Sequence, residues 1–215
     1  MHLYTLLLDG LINTLLLSIC AFAGGGIIGL IVALLRVSDN RTLKVPSRVY
    51  ISLIQGIPLL VLMGAIFFGS SILGLGEVVP FSAAVAALSI YASAYLGEIW
   101  RGCIQSIEKE QWEAAECLGL NRFQRMYWVI FPQAISISLP PTVGFMVQIV
   151  KNTSVASLIV GVPEITYYAK VISNSTFQSF KWCGVAAILY FTICFPLSHL
   201  SRKLERSFNG NNRSS

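Results

Sequence analysis

The residues best suited to bind a charged ligand are Lys151, Asn152, Thr153 and Ser154, which follow a long apolar run as KNTS. An ammonium group that is buried in such a place needs a partner, so Lys151 is a candidate functional residue if it faces the interior of a helix bundle. If it lies at a membrane surface instead, its long side chain simply reaches the headgroup region. Glu98 is the only acid close inside another apolar run.

An enzyme active site would need several His, Asp, Glu, Ser or Cys side chains facing one cavity. His2 and His199 lie at opposite ends of the chain, and no nucleophile has an obvious base at helical spacing. The five cysteines form no CxxC pair, which favours packing as small apolar side chains over a metal site. No GxxxxGK followed by Ser or Thr occurs, so a P-loop nucleotide site is excluded. We expect no catalytic residue, metal ligand or cofactor on this chain, with an integral-membrane enzyme as the remaining alternative.

Composition defines the elements that must position these residues. Only 12% of the 215 residues are charged, against about 25% in soluble domains, and the mean hydropathy is +0.70. A bilayer core needs about twenty apolar residues of helix. Five uncharged runs meet this length: 10–35, 49–76, 78–97, 126–150 and 182–201. Because these runs do not alternate as barrel strands do, the sequence predicts an all-α membrane protein with a bundle of five transmembrane helices.

The basic residues are distributed unevenly between the loops. Twelve of the 15 fall in segments 36–48, 101–125 and 202–213, and the other three are Lys151, Lys170 and Lys181. Basic loops stay in the cytoplasm, so we expect the N-terminus and the loop around Glu77 outside, and the C-terminus in the cytoplasm. In a soluble protein a net charge of +5 would suggest nucleic acid. Here the placement of the charges implies a lipid bilayer as partner, and no nucleic acid.

Glycine and proline mark special points within the runs. Gly25 and Gly29 form a GxxxG ridge where another helix could approach closely. Pro58 removes a backbone donor from the second run, which predicts either a break that faces protein or a wet cavity, or a packing kink. In the fourth run, Pro140 and Pro141 followed by Gly144 predict a broken helix. A break would leave Lys151 deep in the bundle, whereas a straight helix would carry it to the far interface.

The region between the fourth and fifth runs is too polar to span as one helix. Its part 154–163 is too apolar for an exposed loop, so we expect a re-entrant or interfacial segment, followed by a linker at 173–179. The Asn- and Ser-rich tail 209–215 is predicted to be disordered.

A short helix is predicted in the cytoplasmic segment at 111–119, QWEAAECLG. It has good helix formers, acids near its N-terminal end, and Gly119 as a C-terminal stop. It is too short to be stable alone. Its polar face carries acids and small alanines rather than Lys and Arg, which favours docking into another protein over lying on lipid.

Several motifs, in this order and spacing, resemble the permease subunits of bacterial ABC importers, specifically those for polar amino acids of the histidine, glutamine, glutamate and arginine type. The most specific is EAAECLG at 113–119 followed by FPQA at 131–134, which looks like the family's EAA loop and its LPQA continuation. The others are YASAYLGEIWRG at 91–102, Ser106–Ile107, Gln111, Pro140–Pro141 and KNTS at 151–154. The resemblance runs from about residue 11 to residue 208.

The resemblance implies the architecture of a type I ABC importer permease in the cell inner membrane. It places a single transmembrane domain at 1–208, with a cytoplasmic coupling loop at 103–128. In the family this loop forms a coupling helix that sits in a groove of the ATPase subunit. The corresponding residues here are Glu113, Ala114, Ala115, Glu116, Leu118 and Gly119.

The resemblance also implies the partners. ATP and Mg are bound by a separate ABC ATPase dimer, so this chain is a transport subunit and not an enzyme. A second permease protomer, identical or homologous, completes the pore. A periplasmic or lipid-anchored binding protein delivers the polar amino acid.

The same resemblance implies a substrate path near Lys151, Asn152, Thr153 and Ser154, with Lys151 available to the ligand's carboxylate or to an acid such as Glu98. This chain departs from the family where RGTPLL is usual, with Gln55 and Ile57, and has Gly144 where an Asn commonly follows the paired prolines. A further departure is Glu110, where the family usually has Gly before Gln111. Because the departures at Gln55 and Gly144 concern the ligand contacts, a non-ligand-binding half of a heteromeric importer remains the alternative.

Overall fold

The computed structural model describes residues 2–74, 76 and 78–211, and in this part of the chain every regular element is a helix. The α-helices are α1 His2–Val37, α2 Arg41–Gly56, α3 Leu59–Ile72, α4 Pro80–Gln105, α5 Lys109–Cys117, α6 Arg122–Gln124, α7 Phe131–Ile159, α8 Ile165–Thr176 and α9 Ser179–Asn211. A π-helical segment, Arg125–Ile130, joins α6 to α7. The prediction of an all-helical fold is confirmed.

Four helical segments are long and apolar enough to cross a membrane: Leu3–Val37, Pro80–Gln105, Arg122–Ile159 and Ser179–Phe208. The fifth candidate is the pair α2–α3, which bends by 101°. Ile57 and Pro58 have extended backbone at the corner, with ψ of 128° and 135°. The break predicted at Pro58 is confirmed, and its size makes the run 49–76 a corner between two helices and not one straight span.

Helix α1 packs closely along α4 through the small residues predicted to form a ridge. A Cβ atom on Gly25 would lie 2.4 Å from Cβ of Ala92, and one on Gly29 would lie 3.0 Å from the carbonyl oxygen of Ser93. Gly97 makes the same kind of approach from α4, since its Cβ would lie 3.0 Å from Val32. The predicted helix contact at Gly25 and Gly29 is therefore confirmed, with α4 as the partner helix.

The prediction of a broken fourth span is wrong. Helix α7 continues through Pro140 and Pro141 to Ile159. The two prolines remove the N–H donors that would bond the carbonyls of Ser136 and Ile137. The Ser201 hydroxyl of α9 donates to the Pro140 carbonyl at 2.8 Å, which ties this turn to the neighbouring helix.

Of the two alternatives for 154–163, the re-entrant segment is wrong, because residues 154–159 complete α7 and a short turn leads to α8. The interfacial position stays a prediction. Helix α8 is too short to span a bilayer and packs against α1 and α9. The linker expected at 173–179 is shorter in the structure. Helix α8 extends to Thr176 and α9 begins at Ser179, which leaves Phe177 and Gln178 between them. The backbone N–H of Phe177 donates to the Ser173 carbonyl at 2.8 Å and ends α8 in a left-handed turn.

Two predictions fall wholly or partly on residues outside the described chain. The loop predicted to lie outside the membrane is centred on Glu77, which is not among the described residues. Helix α9 includes residues 209–211 of the predicted tail, and residues 212–215 lie outside the described residues.

Candidate functional site

Helix α5 is held against the end of the bundle by an apolar cluster. Trp112 packs beside Ile104, Ile107, Ile130 and Ala134, which come from α4, the loop after it, the π-helical segment and α7. Ala115 is buried on the same side of α5. This contact compensates for the low intrinsic stability of so short a helix.

The C-terminal end of α5 is closed by the glycine predicted as its stop. Gly119 has a φ of 74°, and its N–H donates to the Glu116 carbonyl at 2.9 Å. The N–H of Leu120 donates to the Ala115 carbonyl at 3.3 Å, which completes a Schellman motif. An Arg125–Glu116 ion pair of 2.6 Å ties the end of α5 to the π-helical segment.

The opposite face of α5 is open. Glu113 and Ala114 are exposed, Leu118 is 79% exposed, and a Cβ on Gly119 would meet no heavy atom within 4 Å. Of the six residues predicted for coupling, only Ala115 is buried. The other five are exposed: Glu113, Ala114, Glu116, Leu118 and Gly119. Among them Ala114 and Gly119 are small, and Leu118 is the one large apolar residue.

Glu98 lies in an ion cluster near the α5 end of α4. The Arg101 Nε–H donates to Glu98 Oε2 at 2.9 Å, and Nη2 of Arg36 lies 3.5 Å from the same oxygen. The Arg36 side chain is only 10% exposed, so Glu98 is the counter-ion of a nearly buried guanidinium. The structure does not bring Glu98 to Lys151, because arginines from α1 and α4 occupy its carboxylate.

The four residues of KNTS point in different directions because successive residues of a helix differ by about 100°. Lys151 is exposed on the isolated chain, Asn152 and Ser154 are half-buried, and Thr153 is fully buried. Helix α7 continues for eight residues beyond Lys151, about 12 Å. Lys151 therefore lies about two turns before the end of α7, which is unbroken.

Beside Asn152 lies an aromatic cluster, whose residues the sequence analysis did not assign to the site. Tyr91 and Tyr95 of α4 stack with Phe145 of α7, with ring centroids 6.3 Å and 5.5 Å from it. Gln148 donates to the Asn152 side-chain oxygen at 3.3 Å, while the Asn152 amide nitrogen is buried without a hydrogen-bond partner. The sequence signal that could have indicated this cluster is the spacing of Tyr91 and Tyr95, which are about one helical turn apart.

The other two predicted path residues lie apart from this cluster. Gln55 is exposed in the last turn of α2, just before the corner at Pro58. Gly144 lies against α9, where its Cβ would be 3.3 Å from the Ser201 hydroxyl. Among the described residues, no group of three His, Cys, Asp or Glu side chains could hold a metal ion.

Sequence analysis also missed Glu164, a fully buried acid in the turn before α8. It directly follows the segment 154–163, and its position in a Val-Pro-Glu sequence before a helix was the available signal, as a helix cap.

The fold is thus a bundle of long apolar helices of membrane-spanning length, with a short exposed helix on a polar loop at one end. Residues 25–209 match the family described as the inner membrane component of binding-protein-dependent transport systems, and the chain belongs to that family. It is a multi-pass inner membrane protein and a permease subunit of an ABC importer.

Known relatives cover nearly the whole chain. A probable amino-acid ABC transporter permease protein of Bacillus subtilis, YckA, is 37% identical over 94% of this chain and 88% of the relative. The arginine ABC transporter permease protein ArtQ of Haemophilus influenzae is 33% identical over 95% of this chain and 94% of the relative.

Solved structures confirm the architecture. A chain of the crystal structure of an amino acid ABC transporter with histidines superposes with a TM-score of 0.88, at 35% identity and 95% coverage of both chains. A chain of the MetNI methionine ABC transporter in an inward-facing conformation has the same fold, with a TM-score of 0.74, 21% identity, and coverage of 93% of this chain and 96% of that chain. The predicted type I importer permease architecture is thus confirmed.

Proposed function

We propose that this permease subunit carries a polar amino acid across the inner membrane into the cytoplasm. The relatives support the substrate class, since they include permeases named for amino acids in general and for arginine. Another, from Bacillus subtilis, is named as a probable glutamine ABC transporter permease and is 35% identical over 95% of this chain and 96% of the relative.

The observation that carries the proposal is a polar stripe on α7. Gln148 and Lys151 are exposed on the isolated chain, and Asn152 lies next to them, one turn beyond Gln148. A charged side chain is costly against lipid, and such residues normally face a protein partner or a wet cavity. The stripe therefore faces a second permease protomer, identical or homologous, and the amino acid passes between the two.

Within this path, the Lys151 ammonium binds the substrate carboxylate. An ammonium–carboxylate hydrogen bond contributes about 1.5–3 kcal/mol. The unpartnered Asn152 amide supplies a donor next to it, and the stacked rings of Tyr91, Tyr95 and Phe145 form an apolar wall. Thr153 is fully buried, and the Glu98 carboxylate is paired with Arg36 and Arg101, so neither binds the substrate in this arrangement. For Ser154, Gly144 and Gln55 a place on the path stays a prediction.

The open face of α5 docks the ATPase subunit, which binds ATP and Mg and hydrolyses the nucleotide. Leu118 offers an apolar anchor, and the small residues Ala114 and Gly119 let the partner approach closely. The apolar cluster under Trp112 transmits the movement of the ATPase to α4 and α7. A periplasmic or lipid-anchored binding protein delivers the amino acid from the outer side, where the N-terminus lies; α5 and the C-terminus face the cytoplasm.

Co-purification of the ATPase tests the docking face. The tagged permease is expressed with its cognate ATPase, extracted in mild detergent and assayed for bound ATPase activity. Gly119→Glu places a charged side chain on the open surface, so bound ATPase should fall by at least about tenfold. Gly119→Asn, which tolerates a positive φ, should retain most of it.

A matched control uses a second glycine. Gly74 has a φ of 69° and also has open space where its Cβ would lie. Gly74→Glu therefore introduces equal strain and charge away from α5 and should leave the ATPase bound. If Gly119→Glu and Gly74→Glu co-purify with the same amount of ATPase, α5 is not the docking face.

A further inference from the structure

Helix α2 is attached to the bundle along one side. It packs against α1 and α4, and its buried residues are Ser47 and Ile51. Between them, the Tyr50 hydroxyl lies 2.6 Å from the Ser93 hydroxyl of α4. These residues are three or four positions apart, so they share one side of the helix. Most other side chains of α2 are exposed.

The side of α2 that faces away from the bundle is apolar. Val45, Val49 and Leu53 follow one another at four-residue spacing and are 48%, 50% and 59% exposed. At about 100° per residue, the centre of this apolar row lies about 150° from the buried side. Apolar surface is costly in water, and in a multi-pass membrane protein the hydrocarbon of the bilayer is the medium that covers it.

A row of basic side chains borders the apolar row. Arg41, Lys44 and Arg48 are spaced by three and four residues, so they lie along one side of α2 over about 10 Å. All three are exposed, and within the described part of the chain none of them forms an ion pair. Helix α2 itself contains no acid. Five basic residues on other elements do pair with carboxylates: Arg36, Arg101, Lys109, Arg122 and Arg125.

The position of α2 suits a membrane surface. Its 16 residues measure about 24 Å, too short to cross the hydrocarbon core. The corner at Pro58 turns α3 away by 101°, so α2 lies close to the membrane plane if α3 follows the membrane normal. A helix in that plane places its apolar side on acyl chains and its basic side on the phosphates of the headgroups. A soluble anion would use the basic row alone, whereas the apolar row beside it selects an amphiphile.

We propose that α2 carries a binding site for an anionic phospholipid. The basic row Arg41, Lys44 and Arg48 binds the headgroup phosphate, and the apolar row Val45, Val49 and Leu53 contacts the acyl chains. This site goes beyond the proposed function, because it depends neither on the solute that is carried nor on the side of the membrane that α2 faces.

Native mass spectrometry tests the site on the purified permease in detergent, with the subunits that stay bound to it. Phosphatidylglycerol is the anionic probe, and phosphatidylcholine is the zwitterionic reference. The wild type should bind phosphatidylglycerol at least about tenfold more tightly than phosphatidylcholine. Each basic residue near an anionic lipid contributes a factor of about five. The combined variant Arg41→Gln, Lys44→Gln and Arg48→Gln should therefore weaken phosphatidylglycerol binding about a hundredfold.

A matched control removes the same charge elsewhere. Arg202, Lys203 and Arg206 are exposed near the end of α9. Replacing these three by Gln should leave the affinity for phosphatidylglycerol unchanged. If both triple variants lose the lipid equally, or if neither does, α2 is not the site and the inference is overturned.

Two further measurements identify the ligand class. Val49→Ala combined with Leu53→Ala keeps the charge and should weaken phosphatidylglycerol at least about fivefold, because contact with the acyl chains is lost. Displacement of the lipid by an equal concentration of sn-glycerol 3-phosphate would overturn the inference in favour of a site for free phosphates. Loss of a protein subunit from the α2 triple variant, read from the mass of the complex, would overturn it in favour of a protein interface.

Discussion

The contact between α1 and α4 gives a sharp test of the fold that holds the site. Gly25→Ala adds one methyl group at a point 2.4 Å from Cβ of Ala92 and 2.9 Å from the carbonyl oxygen of Ser89. Carbon atoms in good contact lie about 3.5–4.0 Å apart. The two helices must therefore separate by about 1 Å, and neither obstructing atom can rotate away, since one is a Cβ and the other is backbone.

The expected cost follows from overpacking. Inserting a methyl group into a tightly packed contact costs about 1–3 kcal/mol, while replacing Gly by Ala in a helix stabilises it by about 1 kcal/mol in water. Gly26→Ala is the control, because its methyl would lie 3.8 Å from Trp100, an ordinary contact. Both variants gain the same helix propensity, so the difference between them isolates packing. We expect Gly25→Ala to be about 1–3 kcal/mol less stable than Gly26→Ala.

Stability is measured on the purified complex in detergent as the midpoint of denaturant unfolding. Ala92→Gly should restore part of the stability of Gly25→Ala, because it removes the opposing methyl but leaves the Ser89 carbonyl at 2.9 Å. The coupling is read from the double-mutant cycle. Equal midpoints for Gly25→Ala and Gly26→Ala would show that α1 and α4 do not approach as closely as described here.

Two further predictions concern charged residues. Lys151→Ala should abolish uptake while the complex stays assembled. Lys170→Ala, which removes an exposed lysine from α8, is the control and should transport normally. Normal uptake by Lys151→Ala would remove Lys151 from the path and favour a permease half that does not bind the ligand. Glu98→Ala leaves the nearly buried Arg36 guanidinium without its counter-ion. Because Glu98 is itself 34% exposed, we expect a loss of about 1–3 kcal/mol in unfolding experiments, less than for a fully buried pair. Glu113→Ala, from an exposed pair with Lys109, should change stability little, and an equal loss in the two variants would contradict the role of Glu98.

Features that depend on local sequence were predictable. The apolar runs are long enough to identify the spans, because a bilayer demands a minimum length of helix. At Pro58 and Gly119 the corner and the helix stop form where the backbone preference of the residue itself favours them. The close approach at Gly25 was predictable as a ridge, but only the fold identified α4 as its partner.

Features that depend on contacts between distant segments were not predictable. Pro140 and Pro141 locally favour a break, but that turn is tied to α9, and the helix continues. The Glu98 carboxylate pairs with Arg101, which its i,i+3 spacing could have indicated. Its second partner, Arg36 of α1, reaches it only through the fold.

The sequence by itself determined the class of the protein, its apolar helices and the short helix on its polar loop, because the length of apolar runs and the spacing of motifs are properties of the chain. Only the tertiary structure decided which polar groups share a neighbourhood. In the sequence Glu164 is one acid between the fourth and fifth apolar runs. It joins α1, α8 and α9 because folding brings Thr14 and Tyr190 to it from 150 and 26 residues away. Hydrogen bonds within a membrane bundle join residues by position in space, and that position is fixed by packing of whole helices.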